Sequence, residues 1–431
     1  MSWYNLYSLA GCLVLLLLAW LTSTDRRRIP WRTVVLALAS MAGLGLIIFL
    51  WPMFRSVLLV LNRAVTGLMT ASGEGSRFLF GPLAAGSEQA GGIGFILAFQ
   101  VLPAVVFFSV VTSWLYHLGL LPAVVRWTAR GVHRGFHLSG AEALATASNI
   151  FVGVESALIV RPFIQRMTRS ELMMVLTAGF STIASTVLAF YVALLNDVFP
   201  FIAGHLISAS VLSIPAAVVM AKILVPEDAE PETMNRVPPM EKYIKTEHWM
   251  GSIIWGAGEG VRLAVGVGAL LIGMLGLVEL LDLILGGSSS WIANQLFGVE
   301  VSLTLRALLE VLAYPLILCL GLSPEEWSHA AHLIGERWIL TEVVAYQDLA
   351  KLVEAGSISP RGLLILSYSL CGFTHVASVA IFVGGLAALA PDRRDDLAKL
   401  SWRAFWAATL ATLLTGAVAG AFYHGQVGLL G

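Results

Sequence analysis

Repeated apolar runs, each long enough to cross about 30 Å of hydrocarbon, constrain this chain more than any other feature. They lie near residues 8–22, 33–52, 92–120, 171–195, 198–224, 251–285, 361–390 and 401–423. In lipid, every backbone polar group must be satisfied internally, and apolar runs of this length do so as helices. The expected fold is an all-α integral membrane protein with about eight transmembrane helices. Composition agrees. Of 431 residues, 58% are hydrophobic and only 12% are charged, about half the charged share of a soluble domain. The net charge of −1 carries no electrostatic footprint for nucleic acid. Cys12, Cys319 and Cys371 all fall in apolar runs with no metal-ligand spacing, so they read as buried hydrophobes.

The first run is preceded by no basic residue and followed by Arg26, Arg27 and Arg28. That order reads as a span with its N-terminus outside rather than as a signal peptide. Three further basic clusters are Arg126/Arg130/Arg134, Arg161/Arg166/Arg169 and Arg393/Arg394/Lys399/Arg403. An even span count with both termini outside puts all four in the cytoplasm of a plasma-membrane protein, the inner membrane in a bacterium. Arg337, Lys351 and Arg361 then break the rule. Phe54–Phe80 mixes apolar residues with Arg55, Arg63 and Arg77 and reads as an interfacial helix.

Two regions, 138–170 and 323–360, hold apolar pieces too short to span, interrupted by Asn149, Glu155, Ser156, Thr341, Glu342 and Gln347. Broken segments in corresponding positions of two halves point to a transporter binding site built from re-entrant helical hairpins. Downstream of each lies one copy of a repeat, Gly179–Ser185 (GFSTIAS) and Gly372–Ser378 (GFTHVAS), at the middle of the next span. The two spans run in opposite directions, so the repeat is inverted. The expected organisation is N-terminal spans with the interfacial helix over 1–90, a first half over 91–225, a polar cytoplasmic linker over 226–248 and a second half over 249–431.

Glu155 and Glu342 lead the candidate residues, because a carboxylate at membrane depth needs a cavity or a partner. They accept hydrogen bonds from a polar solute or take a proton; a structural pairing with Arg161 or Arg337 is the other reading. Asn149, Val152, Thr182 and Ile183 offer side-chain oxygens and freed carbonyls that suit a monovalent cation such as sodium, or an Asn and a Thr that simply join packed helices. His375 and Ser378 share a helical face at i, i+3. His375 contacts solute, carries a proton, or is a satisfied core histidine. His329, His332 and Glu336 have metal-compatible spacing, but the surrounding Pro324–Trp338 stretch reads as a solvated face. Gly256, Gly260, Gly266, Gly268 and Gly273 read as close-packing positions rather than a phosphate loop.

Val101-Leu102-Pro103 with Phe107-Phe108-Ser109, Ser139–Glu142 followed by Asn149–Gly153, Arg161-Pro162, Met167–Leu172, Thr341–Tyr346 and Leu370–Phe373 form a series of motifs along the chain. In consistent order, over roughly residues 60 to 420, they resemble the motifs of the concentrative nucleoside transporter family. The resemblance implies a homotrimer with two opposed hairpins, driven by a sodium or proton gradient, with no other cofactor. It implies sodium ligands at Asn149, Val152, Thr182 and Ile183, base recognition at Glu155, and sugar contacts at Glu342 and Ser378. The chain departs from the pattern at the first hairpin tip. There Gly153-Val154-Glu155-Ser156 is one residue shorter, and Val154 replaces a Gln-Thr pair. In the seventh span, His375 stands for an asparagine. Val154 offers no side-chain hydrogen bond to a base, so a divergent nucleoside or another polar solute is implied. The expected function is a cation-coupled symporter. A non-transporting membrane sensor, or a metal-dependent intramembrane enzyme using His329, His332, Glu336 and His375, are the rival classes.

Overall fold

The computed structural model describes residues 3–84, 96–153, 156–196, 198–240, 248–297 and 303–425. Among the described residues every regular element is helical. In chain order these are α1 (Trp3–Leu21), α2 (Trp31–Leu50), α3 (Pro52–Phe80), α4 (Leu97–Gln100), α5 (Leu102–His117), α6 (Leu120–Phe136), α7 (Gly140–Val152), α8 (Ser156–Ile164) and α9 (Arg169–Ser181). There follow α10 (Ser185–Leu195), α11 (Ile202–Leu224), α12 (Trp249–Phe297), α13 (Leu305–Ile317), α14 (Trp327–Ile339), α15 (Glu342–Glu354), α16 (Pro360–Leu370), α17 (Val376–Leu389) and α18 (Arg394–Ala421).

Among the described residues, seven segments are long and apolar enough to cross a membrane, at Trp3–Leu21, Trp31–Leu50, Leu97–His117, Arg169–Leu195, Ile202–Leu224, Trp249–Ser290 and Pro391–Ala421. The eighth expected run, 361–390, is divided into α16 and α17, each too short to cross alone. The run at 171–195 is divided as well, between α9 and α10. Each division falls on one copy of the repeat. Thr182 and Ala184 are extended in the first copy, and His375 is extended in the second. The repeat therefore marks helix breaks, not the middle of continuous helices.

The two breaks touch. Thr374 Oγ1 donates to Phe180 O at 2.8 Å. A Cβ added at Gly372 would lie 3.1 Å from Ser181 O and 3.2 Å from Phe180 O, so the absence of a side chain lets the two backbones meet.

The two hairpins are α7–α8 and α14–α15, within the regions expected. Capping boxes start α7 (Ser139 with Glu142) and α9 (Thr168 with Glu171), and Ser323 with Glu326 forms one just ahead of α14. At the base of hairpin 1, Glu142 is ion-paired with Lys222 of α11, both side chains being buried. Lys222 Nζ also reaches Ser170 Oγ at 3.0 Å, and Ser139 Oγ donates to Glu171 Oε1 at 2.5 Å. The same face gathers the basic clusters. Thr24 N donates to Leu224 O at 2.9 Å, Arg393 Nη1 to Met167 O at 2.6 Å, and Arg32 and Arg134 line one pocket. The opposite face carries the base of hairpin 2 and both ends of the described chain. There Arg361 donates to Gly321 O (3.0 Å), Asn5 Oδ1 (2.8 Å) and Ser8 Oγ (2.8 Å), and Asn5 Nδ2 donates to Tyr423 O (2.7 Å). The hairpins thus enter from opposite sides.

Two expectations need correction, those on two arginines and on the α12 glycines. Arg337 and Arg361 are buried in hydrogen-bond networks, so they are structural guanidiniums and carry no topological signal. The 226–240 part of the linker packs under hairpin 1. Thr233 accepts from Gly140 N (2.9 Å) and Ala141 N (3.0 Å), and Arg166 pairs with Glu232 at 2.9 Å. Of the five α12 glycines read as close-packing positions, Gly256 and Gly260 sit tightly against Ser109, Val106 and Val110 of α5, Gly268 meets Leu102 of α5 at ordinary contact distance, and Gly266 and Gly273 have no such neighbour among the described residues. Helix α12 itself runs 49 residues, about 74 Å at 1.5 Å per residue, and leaves much of its apolar surface exposed.

The Lys222→Met variant strands a buried carboxylate and should lose about 3–5 kcal/mol of stability, read as a lower melting temperature of the detergent-solubilised protein. Adding Glu142→Gln should restore part of the loss. Equal melting of wild type and Lys222→Met would contradict the ion pair's role.

Candidate functional site

Hairpin 2 turns at Leu340 and Thr341, with Thr341 extended as the N-cap of α15. Glu342 therefore occupies the first turn of α15, where unsatisfied N–H groups and the helix dipole favour a carboxylate. It is buried. Tyr191 of α10 donates its hydroxyl to Glu342 Oε1. The Tyr191 ring lies 4.7 Å from that of Tyr346, whose hydroxyl donates to Ser367 O at 2.8 Å. Glu342 pairs directly with neither arginine considered as a structural partner. Arg337 spends its guanidinium on Ser369 O at 2.5 Å and Thr412 Oγ1 at 3.3 Å.

His375 does not sit on the face of a continuous helix. It is the N-cap of α17, and its i, i+3 spacing to Ser378 is that of a reciprocal capping box. Ser378 N donates to His375 Nδ1 at 3.1 Å, and His375 N donates to Ser378 Oγ at 3.3 Å. Because Nδ1 accepts, the neutral imidazole carries its proton on Nε2. That atom lies 3.3 Å from Glu342 Oε2. Ser378 Oγ has Phe373 O (2.5 Å) and His375 O (2.7 Å) as acceptors, so its proton is committed within the cap. Glu342 Oε2, His375 Nε2 and Thr341 Oγ1 are buried, and none completes a hydrogen bond among the described residues. Buried polar atoms are ordinarily satisfied. Three unsatisfied ones, where a hairpin tip meets a helix break, mark a place that receives polar groups from outside the chain.

At the first break, Asn149 near the end of α7 donates through Nδ2 to Ala178 O at 3.0 Å and is bonded to Thr182 Oγ1. Ser156 Oγ donates to Asn149 Oδ1 at 3.2 Å. Ile183 is buried in the break, and Val152 is the last residue of α7. The structure thus brings Asn149 and Thr182 together beside two ends of backbone helix. Gly153, at φ 68°, ends α7 in a conformation that favours glycine. Val154 and Glu155 lie outside the described residues.

A cavity of about 220 Å³ opens beside this cluster, lined by Asn149, Thr182 and Phe373 and, from α12, by Arg262, Leu263 and Gly266. Glu342, His375 and Ser378 are not among its lining residues. Helix α10 joins the two clusters, since it begins at the first break and carries Tyr191 to Glu342.

Sequence reasoning missed Tyr191, Tyr346 and the Ser156–Asn149 bond. Tyr191 sits among apolar neighbours that read as plain core, Tyr346 stands beside Gln347 and Asp348 with no signal of its own, and only their partners, 151 and 21 residues away, reveal them. His332 and Glu336 lie on the first arm of hairpin 2 with Glu336 buried, so that stretch is not simply a solvated face. Their candidate metal grouping includes Asp348 and not His375, so the four residues of the enzyme reading do not converge.

Three family profiles match the chain: Na+ dependent nucleoside transporter N-terminus over residues 10–83, Nucleoside recognition over 98–198, and Na+ dependent nucleoside transporter C-terminus over 205–420. The match begins well before residue 60, where the motifs alone started. "Uncharacterized transporter YutK" of Bacillus subtilis is 34% identical, covering 97% of this chain and 99% of the relative. "Nucleoside permease NupC" of Helicobacter pylori is 32% identical over 98% and 99%. The solved structure of CNTnw in an inward-facing substrate-bound state superposes with a TM-score of 0.86 at 34% identity, covering 97% of this chain and 98% of the other. Fold, motif order and relatives agree, and the chain belongs to the concentrative, Na+-dependent nucleoside transporter family, a family of transporters and not of enzymes.

Proposed function

We propose that the chain is a sodium-coupled symporter that moves nucleosides across the plasma membrane. The observation that carries this reading is the buried Glu342–His375 pair, whose facing atoms have no completed hydrogen bond. An ionisable group at bilayer depth is kept for function by default. In this reading Glu342 accepts from sugar hydroxyls, and the Nε2–H of His375 donates to the solute. Base recognition falls to Glu155, with Val154 beside it in the sequence, as the family resemblance implies. Ser378 holds His375 in place as its capping partner and offers the sugar only a remaining lone pair.

Sodium would be held by Asn149, Thr182 and the backbone carbonyls of Val152 and Ile183. For this the Asn149 amide turns over, because Nδ2 now faces Thr182 and a cation needs Oδ1. Ion binding would fix the first break, hence the start of α10, hence Tyr191 against Glu342. That route makes cation and solute binding mutually supportive. The block that carries the two hairpins would then move relative to the rest of the chain. The exposed apolar faces of α5 and α12 would meet lipid or the neighbouring subunits of a homotrimer. Both termini would lie outside, opposite the face that gathers the basic clusters.

Three outcomes test the assignments. Glu342→Gln should lower nucleoside uptake into proteoliposomes about 10- to 100-fold, since hydrogen bonds to charged groups contribute about 1.5–3 kcal/mol, while melting as a folded protein; undiminished uptake would remove Glu342 from the solute site. Thr182→Val should raise the sodium concentration needed for half-maximal uptake about tenfold or more, with solute binding at saturating sodium nearly unchanged; an unaltered sodium dependence would place the ion elsewhere. His375→Asn should keep transport but change the order in which unlabelled nucleosides compete, whereas an identical competition series would show that His375 does not touch the solute.

A further inference from the structure

Hairpin 2 holds a second polar cluster outside the solute site. On α14, His332 and Glu336 stand one turn apart on the same face. The antiparallel α15 returns Asp348 to that face, and one ligand atom from each of the three lies within 4.8 Å of the others. The Glu336 side chain is fully buried, and neither of its carboxylate oxygens has a hydrogen bond among the described residues. The nearest nitrogen atoms of basic side chains are Arg306 Nη1 of α13 at 3.7 Å and His332 Nε2 at 4.0 Å. Lys351 reaches Asp348 at 2.6 Å, but from the solvent side, with its side chain 65% exposed. Glu310 of α13 completes the surroundings. Its Oε2 is 3.8 Å from His332 Nδ1, while its Oε1 accepts from Ser328 Oγ at 2.6 Å.

Three carboxylates (Glu310, Glu336, Asp348) thus face two fixed cations, Arg306 beside Glu336 and Lys351 on the solvent side of Asp348. A buried carboxylate with no donor, beside a second carboxylate, is an arrangement that neighbouring positive charge relieves. We propose that His332, Glu336 and Asp348 form a binding site for a zinc-class divalent cation. One imidazole nitrogen and two carboxylate oxygens suit zinc, which takes a tetrahedral set and accepts water as a fourth ligand. Magnesium and calcium prefer all-oxygen sets with more ligands. An ion here joins the two arms of hairpin 2 through residues that precede and follow the Thr341–Glu342 tip, so it bears on how rigidly the tip is held. The site does not depend on the transport reading, because none of its ligands belongs to the solute or sodium sets.

The test uses the full-length protein in detergent, stripped of metal with a chelator and titrated calorimetrically with ZnCl2, with MgCl2 as the comparison. His332→Ala and Asp348→Asn are the variants, since both side chains are partly exposed and their loss spares the buried Glu336. Wild type should bind zinc saturably, magnesium should not compete, and zinc should raise the melting temperature. Each variant should weaken zinc binding at least about tenfold, the loss expected even for a residue supporting a metal ligand, and should lose the thermal shift. Absence of saturable zinc binding by the wild type, or equal affinity in wild type and both variants, would overturn the proposal.

Discussion

The contact on which the structure depends is the meeting of two broken helices, where Thr374 donates to Phe180 O and Gly372 lets the backbones approach. A helix break inside a membrane exposes backbone groups that lipid cannot satisfy, at several kcal/mol each. Placing one break against the other, and a hairpin tip beside each, keeps those groups among protein atoms. The same arrangement gathers side chains that would be prohibitive on a lipid-facing helix. Asn149 and Thr182 collect at the first break, and His375 and Glu342 at the second.

The outer ends of the hairpins are fixed by stronger chemistry than their tips. Hairpin 1 is anchored by two capping boxes, the Glu142–Lys222 pair and the folded-under linker. Hairpin 2 is anchored by the Ser323–Glu326 box and by Arg361, which ties it to α1. The tip of hairpin 2 rests on fewer polar contacts, with Thr341 Oγ1 and Glu342 Oε2 unsatisfied among the described residues. Local stability follows contact density and satisfied hydrogen bonds, so the fold concentrates its adaptable parts where cation and solute would act and its rigid parts at the two faces.

Much of this was legible in the sequence. The membrane class, the two hairpins and the candidates Glu342 and His375 follow from apolar length and from the cost of polar groups at depth, whereas on spacing alone Asn149 and Thr182 read as a bond between packed helices and stood out through the family resemblance. The breaks were not legible, because long apolar runs continue on both sides of Thr182–Ala184 and Cys371–Thr374 and no proline interrupts either stretch. His375 and Ser378 show why that matters, since the same i, i+3 spacing serves a helical face or a helix start. Arg337 and Arg361 looked like topology signals, because a basic residue gives the same sequence signal whether it meets lipid headgroups or a buried carbonyl. Tyr191 was hidden among apolar neighbours, its partner being 151 residues away.

The most direct test of the account is counterflow in proteoliposomes loaded with unlabelled uridine and given trace labelled uridine outside, with sodium or with choline in its place. The account predicts transient accumulation of label in sodium and its collapse in choline. No accumulation under either condition, with binding intact, would mean that the buried pocket senses a ligand without carrying it. Equal accumulation without sodium would separate transport from the Asn149–Thr182 cluster.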